Sequence, residues 1–285
     1  MEVKAKKDIE EAMRTDPKKR AKKIISHLAI SIDGAHAPLV MSEEEKANDT
    51  EGKKRKWTET KVAKFFSFEA VKNKKGEQTI KTTQLQYVAG TESSDEFGNR
   101  CYAAASLLGC LFSTILVVIG DGAKWIRSIG EMNFPNAIMI VDWYHAVEHL
   151  RNAMKILWGE RTKITLQKVE ILKNYLWKGQ VEKVIGLMNQ YLKEKKGISE
   201  KEQEDYLALI GYFVNNLDRM KYNEYREKGL PIGSGSVESA CKQVVTLRLK
   251  LPGMKWKREN LPAIVALRTE YLNRRYCGEI EVAAA

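Results

Sequence analysis

At 285 residues the chain can bury a large core, either as one domain with a big insertion or as two domains. A formal net charge of +11 and a pI near 9.3 point to a polyanionic partner, nucleic acid first among them, with a merely solvated basic surface as the bland alternative. The four cysteines form no C-x-x-C pair, which argues against a zinc ribbon or a disulfide framework, and no apolar run or signal-type leader suggests a membrane or secreted protein. The expectation is a soluble protein of the reducing cytosol.

Met1 to Lys23 is Ala/Glu/Lys-rich and reads as a helical lead-in. Ile24–Ile32 (IISHLAISI) is the first strand, and it delivers Asp33 into Gly34, so a strand ends at or passes through a carboxylate. Glu43–Lys56, holding EEE and KKRK, reads as a solvated hairpin tip rather than a localisation signal. Trp57–Glu69 and Gln78–Ala89 read as two further strands joined by a turn at Asn73–Glu77, making an antiparallel meander with the first. Ser94–Leu111 reads as a helix, with Ser94 as N-cap and Leu107, Leu108 and Leu111 toward the core.

The stretch that organises the chain follows, from Thr114 to Arg151. Ile115–Ile119 and Ala137–Val141 are short, branched apolar runs, read as strands covered on both faces. The first leads through Gly120 into Asp121, and the second leads directly into Asp142. Between them lies an amphipathic helix (Trp125, Ile126, Ile129, Met132) closing on Phe134-Pro135, so the unit is a parallel crossover. Chemistry in open parallel sheets gathers at the carboxyl ends of strands, and two aspartates there suggest a metal or acid–base site.

From Tyr144 to about Met220 the pattern is helical: Tyr144–Trp158, Thr162–Trp177, Gln180–Glu194 and Glu200–Leu217, broken at Gly159, Gly179 and Gly197. The stripe Leu166, Val169, Leu172, Leu176 has helical spacing and reads as core, not as a cofactor box. Gly229–Ser236 (GLPIGSGS) breaks this pattern ahead of a helix over Val237–Lys250, which carries Glu238 in its first turn. GSGS is either a simple helix entry capped by Ser234 or Ser236, or a phosphate cradle. Pro252-Gly253 interrupts, and Leu261–Tyr276 is a final helix bearing Arg268, Arg274 and Arg275.

Three strands, helix, strand, helix, strand and then helices is the order of a ribonuclease H-like domain, a mixed five-stranded sheet with flanking helices and, here, an all-helical insertion before the last catalytic helix. Phosphoryl-transfer enzymes of that fold hold two divalent cations on a few carboxylates. Asp33, Asp121 and Glu238 are the expected ligands, with Mg²⁺ or Mn²⁺ as the expected ions. Each signal has a bland reading, since Asp-Gly after a strand is often a turn or a helix cap. Three carboxylates at matching topological points are much less expected by chance than any one of them.

IDGAHAPLV, WTETK, YVAG…DEFG, VVIGDGAKWI, FPNAIMIVDWYHAVEHL and PIGSGSVESACKQVVTLRLKLPGMKW together resemble the ISKra group of bacterial insertion-sequence transposases, over roughly Ile32 to Tyr276 and in the right order. The resemblance implies a DDE transposase that cleaves and joins DNA strands, with Asp142 and His145 matching a D-x-x-H signature that supports the carboxylates. It implies DNA element ends and target as partners, a homo-oligomer assembled on DNA, and a cytoplasmic, nucleoid-associated location. Such transposases carry a longer N-terminal region, so the short lead-in leaves a truncated copy as an expectation.

The organisation expected is lead-in 1–23, core 24–145, helical insertion 146–229, core 230–276 and tail 277–285. Lys242 to Arg275 holds nine Lys/Arg against two Glu, a balance of +7, and Lys242, Arg248, Lys250, Lys255, Lys257 and Arg258 are the expected DNA surface. Two rivals stand beside this reading. One is a non-catalytic nucleic-acid-binding protein. The other is a zinc metallopeptidase built on His145-Ala-Val-Glu148-His149, an H-x-x-E-H match with Glu224 or Glu227 as third ligand, which leaves Asp33, Asp121 and the basic C-terminal region without a role. Should the ribonuclease H-like order hold, Asp121 lies on the strand next to Asp33 and Asp142 one strand further out.

Overall fold

The computed structural model describes residues 25–43, 45, 56–72, 78–233 and 239–273. The lead-in, most of the charged loop, the Asn73–Glu77 turn, Glu238 with the residues 234–237 ahead of it, Arg274, Arg275 and the tail lie outside them.

Alternating and branched apolar residues make the strands β1 (His27–Leu39), β2 (Lys56–Lys72) and β3 (Gln78–Gly90), an antiparallel meander as the pattern predicts. Helix α1 (Ser94–Leu107) leads to β4 (Ile115–Gly120), which pairs in parallel with β1. Helix α2 (Lys124–Asn133) crosses over to β5 (Ile138–Val141), parallel to β4. The sheet order is β3-β2-β1-β4-β5, a ribonuclease H-like topology with β1 at its centre. Helices α3 (Trp143–Trp158), α4 (Lys163–Trp177), α5 (Val181–Glu194), α6 (Glu200–Asn215) and the short α7 (Tyr222–Glu227) follow. They precede the helical stretch 239–249 (α8) and α9 (Leu261–Leu272). Gly159, Gly179 and Gly197 take φ values of 82°, 69° and 74° at the predicted breaks, left-handed positions that stop a helix cheaply only in glycine. Among the described residues no helix is long and apolar enough to cross a membrane.

The two faces of the sheet are built differently. Leu28, Ile30 and Ile32 of β1 point to one face, where they pack with Phe65, Val118 and the α1–α2 residues Phe97, Cys101, Ala104, Ile126 and Ile129. The odd-numbered residues point to the other. There Ala29, Phe66, Val117 and Ile119 share a core with the helical region, through Leu150, Leu172, Met188, Tyr206 and Phe213. Further along the same face, Ala35, Ala37, Leu39, Val62 and Tyr87 pack instead under α8 and α9, against Ala240, Val244, Leu249 and Val265. Asp33 falls between these two clusters.

Several local expectations are corrected. β1 does not end near Ile32 but runs on to Leu39, paired with β2 throughout, while its pairing with β4 stops at Ile32–Gly120. Beyond that point β1 is an edge. Pro38 is tolerated because its missing N–H faces away from β2, where its carbonyl accepts the Trp256 N–H at 3.0 Å. The N-cap of α1 is Ser93, not Ser94, because Glu96 stands three residues after Ser93 and completes a capping box. Leu107 (45% exposed), Met132 (68%) and Leu166 (61%) lie outside the core assigned to them. The first two sit in the last turns of their helices, and the buried face of α1 is made mostly of small residues. Within α8, Lys242–Thr246 forms a π-helical turn rather than regular α-helix.

Candidate active site at the strand ends

Asp33 and Asp121 directly follow the last paired residues of β1 and β4, Ile32 and Gly120, so they stand side by side on neighbouring strands. Neighbouring strands lie about 4.8 Å apart. Burial, reinforced by the like charge of Asp121, pushes the Asp33 carboxyl above the usual carboxylate range, against the Gly34 N–H and His145, which lower it. The Gly34 N–H reaches Asp33 Oδ1 at 2.7 Å, and the Cys241 thiol of α8 faces Asp33 Oδ2 at 3.5 Å. That thiol is itself pushed far up, first by burial and then by Asp33, so it stays protonated and acts as a donor. The segment after the helical region therefore returns to the first aspartate, as the fold reading requires. Glu238, three residues ahead of Cys241 in sequence, lies outside the described residues.

Asp121 is fixed by its own loop and by the helical region. Its Oδ1 accepts the Ala123 N–H at 2.7 Å, and its carbonyl accepts the Tyr212 hydroxyl of α6 at 2.8 Å. Gly122 adopts φ 96°, and a Cβ there would meet the Tyr212 ring at 2.7 Å. The turn needs glycine for both reasons. Burial, together with Asp121 and Asp142, keeps the Tyr212 phenol protonated and hence a donor.

Asp142 extends the next strand, its N–H bonding the Gly120 carbonyl at 2.7 Å. Its side chain is fully buried and caps α3: Oδ1 accepts the backbone N–H groups of Tyr144 (2.8 Å) and His145 (3.0 Å) and lies 3.2 Å from His145 Nδ1. That hydrogen bond, with the charges of Asp142, Asp33 and Asp121 added and burial opposing, raises the imidazole pKa to about 9. At neutral pH His145 is thus an imidazolium facing three carboxylates. The structure brings Asp33, where the β1–β4 pairing stops, together with Asp121, Asp142 and His145 just past β4 and β5, in the order expected.

The H-x-x-E-H residues do not assemble in this way. His145 is committed to Asp142, Glu148 is exposed, and His149 stacks on the Tyr212 ring at 3.8 Å. Burial lowers the His149 pKa and its Nδ1 has no partner, so it is a neutral packing residue. Among the described residues no three His, Cys, Asp or Glu side chains are placed to hold a metal ion. The peptidase reading therefore finds no set of three ligands among the described residues.

The six basic residues of the expected DNA surface are all described. Lys242, Arg248, Lys255, Lys257 and Arg258 are exposed, whereas Lys250 is half-buried over the Trp57 ring. Tyr212 and Cys241 were not singled out by sequence reasoning. They touch the aspartates across 91 and 208 residues of chain, and no local pattern marks such contacts.

Comparison with curated proteins finds no match. A family model, described as uncharacterised protein family UPF0236, matches residues 111–284, which span Asp121, Asp142, His145, Glu238 and the basic C-terminal region and begin after Asp33. With well over half of its length matched, the chain belongs to the UPF0236 family.

Proposed function

We propose that this chain is a DNA transposase of the DDE type, cleaving and joining strands with two Mg²⁺ or Mn²⁺ ions held by Asp33, Asp121 and Glu238. The observation that carries the reading is the pair of carboxylates side by side where the parallel pairing of β1 and β4 stops, one of them half-buried with its like-charged neighbour adjacent. Two such groups cost energy when both ionise unless a cation compensates them. Their hard oxygens suit Mg²⁺ or Mn²⁺ rather than zinc. When bound, such ions activate an attacking oxygen and stabilise a leaving one at phosphorus.

The chain's own residues supply the rest. Tyr212 and Gly122 set the position of Asp121 from the helical region. Asp142 orients His145, whose charge is available to the aspartates or to a phosphate oxygen. The exposed cations of α8 and the segment after it suit the phosphate backbone of DNA, and with mainly such contacts the binding has little sequence preference. This reading entails assembly as a homo-oligomer on DNA in the cytoplasm.

A second reading, a non-catalytic nucleic-acid-binding protein, is favoured by one observation: protonated His145 already offsets part of the aspartate charge without a metal. Incubation of the purified chain with DNA and Mg²⁺ or Mn²⁺ separates the two. Nicked or joined strands that vanish with chelator support the transposase. Binding without cleavage under every cation condition supports the second reading.

A further inference from the structure

A groove of about 850 Å³ opens between the sheet and the helical region, on the face that carries the aspartates. Phe66 and Thr82 of the sheet, the N-terminal turn of α3, Arg226 of α7 and residues 229–233 line it. Phe66 pairs with Ala29, four residues before Asp33 and so about 13 Å along β1. On the α3 side Tyr144 is 56% exposed, two residues after Asp142 and one before His145. Gly233 approaches that ring closely, so that a Cβ there would meet it at 2.8 Å. Trp177 is 39% exposed, and the Arg226 guanidinium lies 3.7 Å from its ring centre while donating to the Trp177 carbonyl at 2.9 Å. The Arg226 Nε–H is buried and has no acceptor among the described residues.

An exposed aromatic ring, a guanidinium stacked on a second ring and a backbone that approaches closely are the parts of a stacking platform for unpaired bases. They stand in a chain of net charge +11, beside carboxylates suited to phosphoryl transfer. Glu227 also lines the groove, and among the described residues it is the one acidic side chain there that opposes a phosphate. We infer that this groove binds a short single-stranded stretch of DNA, with bases stacked on Tyr144 and on the Arg226–Trp177 pair, and leads that strand toward Asp33 and Asp121. The inference rests on the strand-cleavage reading for its purpose, but the binding itself needs no catalysis.

The test measures binding of the full chain to a labelled oligo-dT and to a duplex of equal length, in chelator, at matched salt. Tyr144→Ala and Arg226→Gln are each expected to weaken oligo-dT binding roughly tenfold, the effect of losing one stacked base. Tyr144→Phe keeps the ring and keeps the affinity. Duplex binding, which the outer lysines and arginines suffice to provide, changes less than twofold. Equal losses on both substrates, no loss on either, or the absence of any oligo-dT binding would overturn the inference. Because no divalent ion is present, oligo-dT binding that depends on Tyr144 stands even if the chain never cleaves DNA. Cleavage that ignores Tyr144 and Arg226 overturns the groove alone and leaves the aspartate site intact.

Discussion

The two faces of the sheet spend their residues on different ends. On the α1–α2 face, Leu28, Ile30, Ile32, Phe65 and Val118 meet a single apolar layer that closes over them. On the other face, two separately packed clusters, one under α3–α7 and one under α8–α9, leave a gap at Asp33. Into that gap come Asp121, Asp142, His145 and the Cys241 thiol. A single close-packed layer has no room for charge, whereas a junction between two layers can hold buried carboxylates provided each finds a donor. The first face therefore contributes packing alone, whereas the second also holds the proposed site.

That contrast can be broken by substitution. Phe97→Ala, in the closed face, removes a fully buried ring and is expected to cost about 3–5 kcal/mol in urea unfolding. A loss below about 1 kcal/mol would mean that this face is not the stabilising one.

His145 gives the next largest effect, and it appears as pH dependence of the metal-free protein. The folded pKa of about 9 lies above the ordinary imidazole value of 6.5, so its stabilisation is complete below about pH 6.5 and is lost as pH rises through 9. At 1.36 kcal/mol per unit this amounts to about 3 kcal/mol at most. Asp33, also raised, moves stability in the same direction, starting from the lower pH of an ordinary carboxyl. Thermal unfolding from pH 6 to 10 should show the alkaline decline, and His145→Gln should flatten it. A decline that survives in the variant would show that other groups cause it.

The smallest effect is expected from Tyr212→Phe. Losing its hydrogen bond to the Asp121 carbonyl should cost about 1 kcal/mol of stability. Cleavage should fall more than DNA affinity does, because the residue positions Asp121 and is not expected to touch DNA. Equal changes in both would make Tyr212 a packing residue only.

Much of this arrangement was legible in the chain. The short branched runs ending in Asp121 and Asp142 could only be covered parallel strands, and a crossover of that length fixes their neighbours. The glycine breaks at 159, 179 and 197 were equally plain. What the pattern could not show was tertiary. The apolar run of the first strand stops at Ile32, and nothing in it shows that β1 continues past Asp33 as an edge that tolerates Pro38. Leu107, Met132 and Leu166 extend apolar stripes past the surface that covers them, because periodicity marks a helix face but not how far its partner reaches. The Ser93 cap, by contrast, was available: Glu96 three residues later distinguishes it from Ser94. Tyr212, Cys241 and the Arg226–Trp177 pair are contacts between distant segments, which a single sequence does not display.

The central claim is that Asp33 and Asp121 carry the chemistry while Asp142 holds His145 and the start of α3 in place. It is tested most directly by DNA cleavage with Mg²⁺ or Mn²⁺ in Asp121→Asn and Asp142→Asn, each checked for folding. Asp121→Asn should remain folded and lose more than about a thousandfold in cleavage. Asp142→Asn keeps an oxygen for the helix cap but loses the charge that holds His145, and it should cost about 1.5–3 kcal/mol of stability while retaining measurable cleavage. Near-full cleavage by Asp121→Asn, with none from a folded Asp142→Asn, would contradict the account.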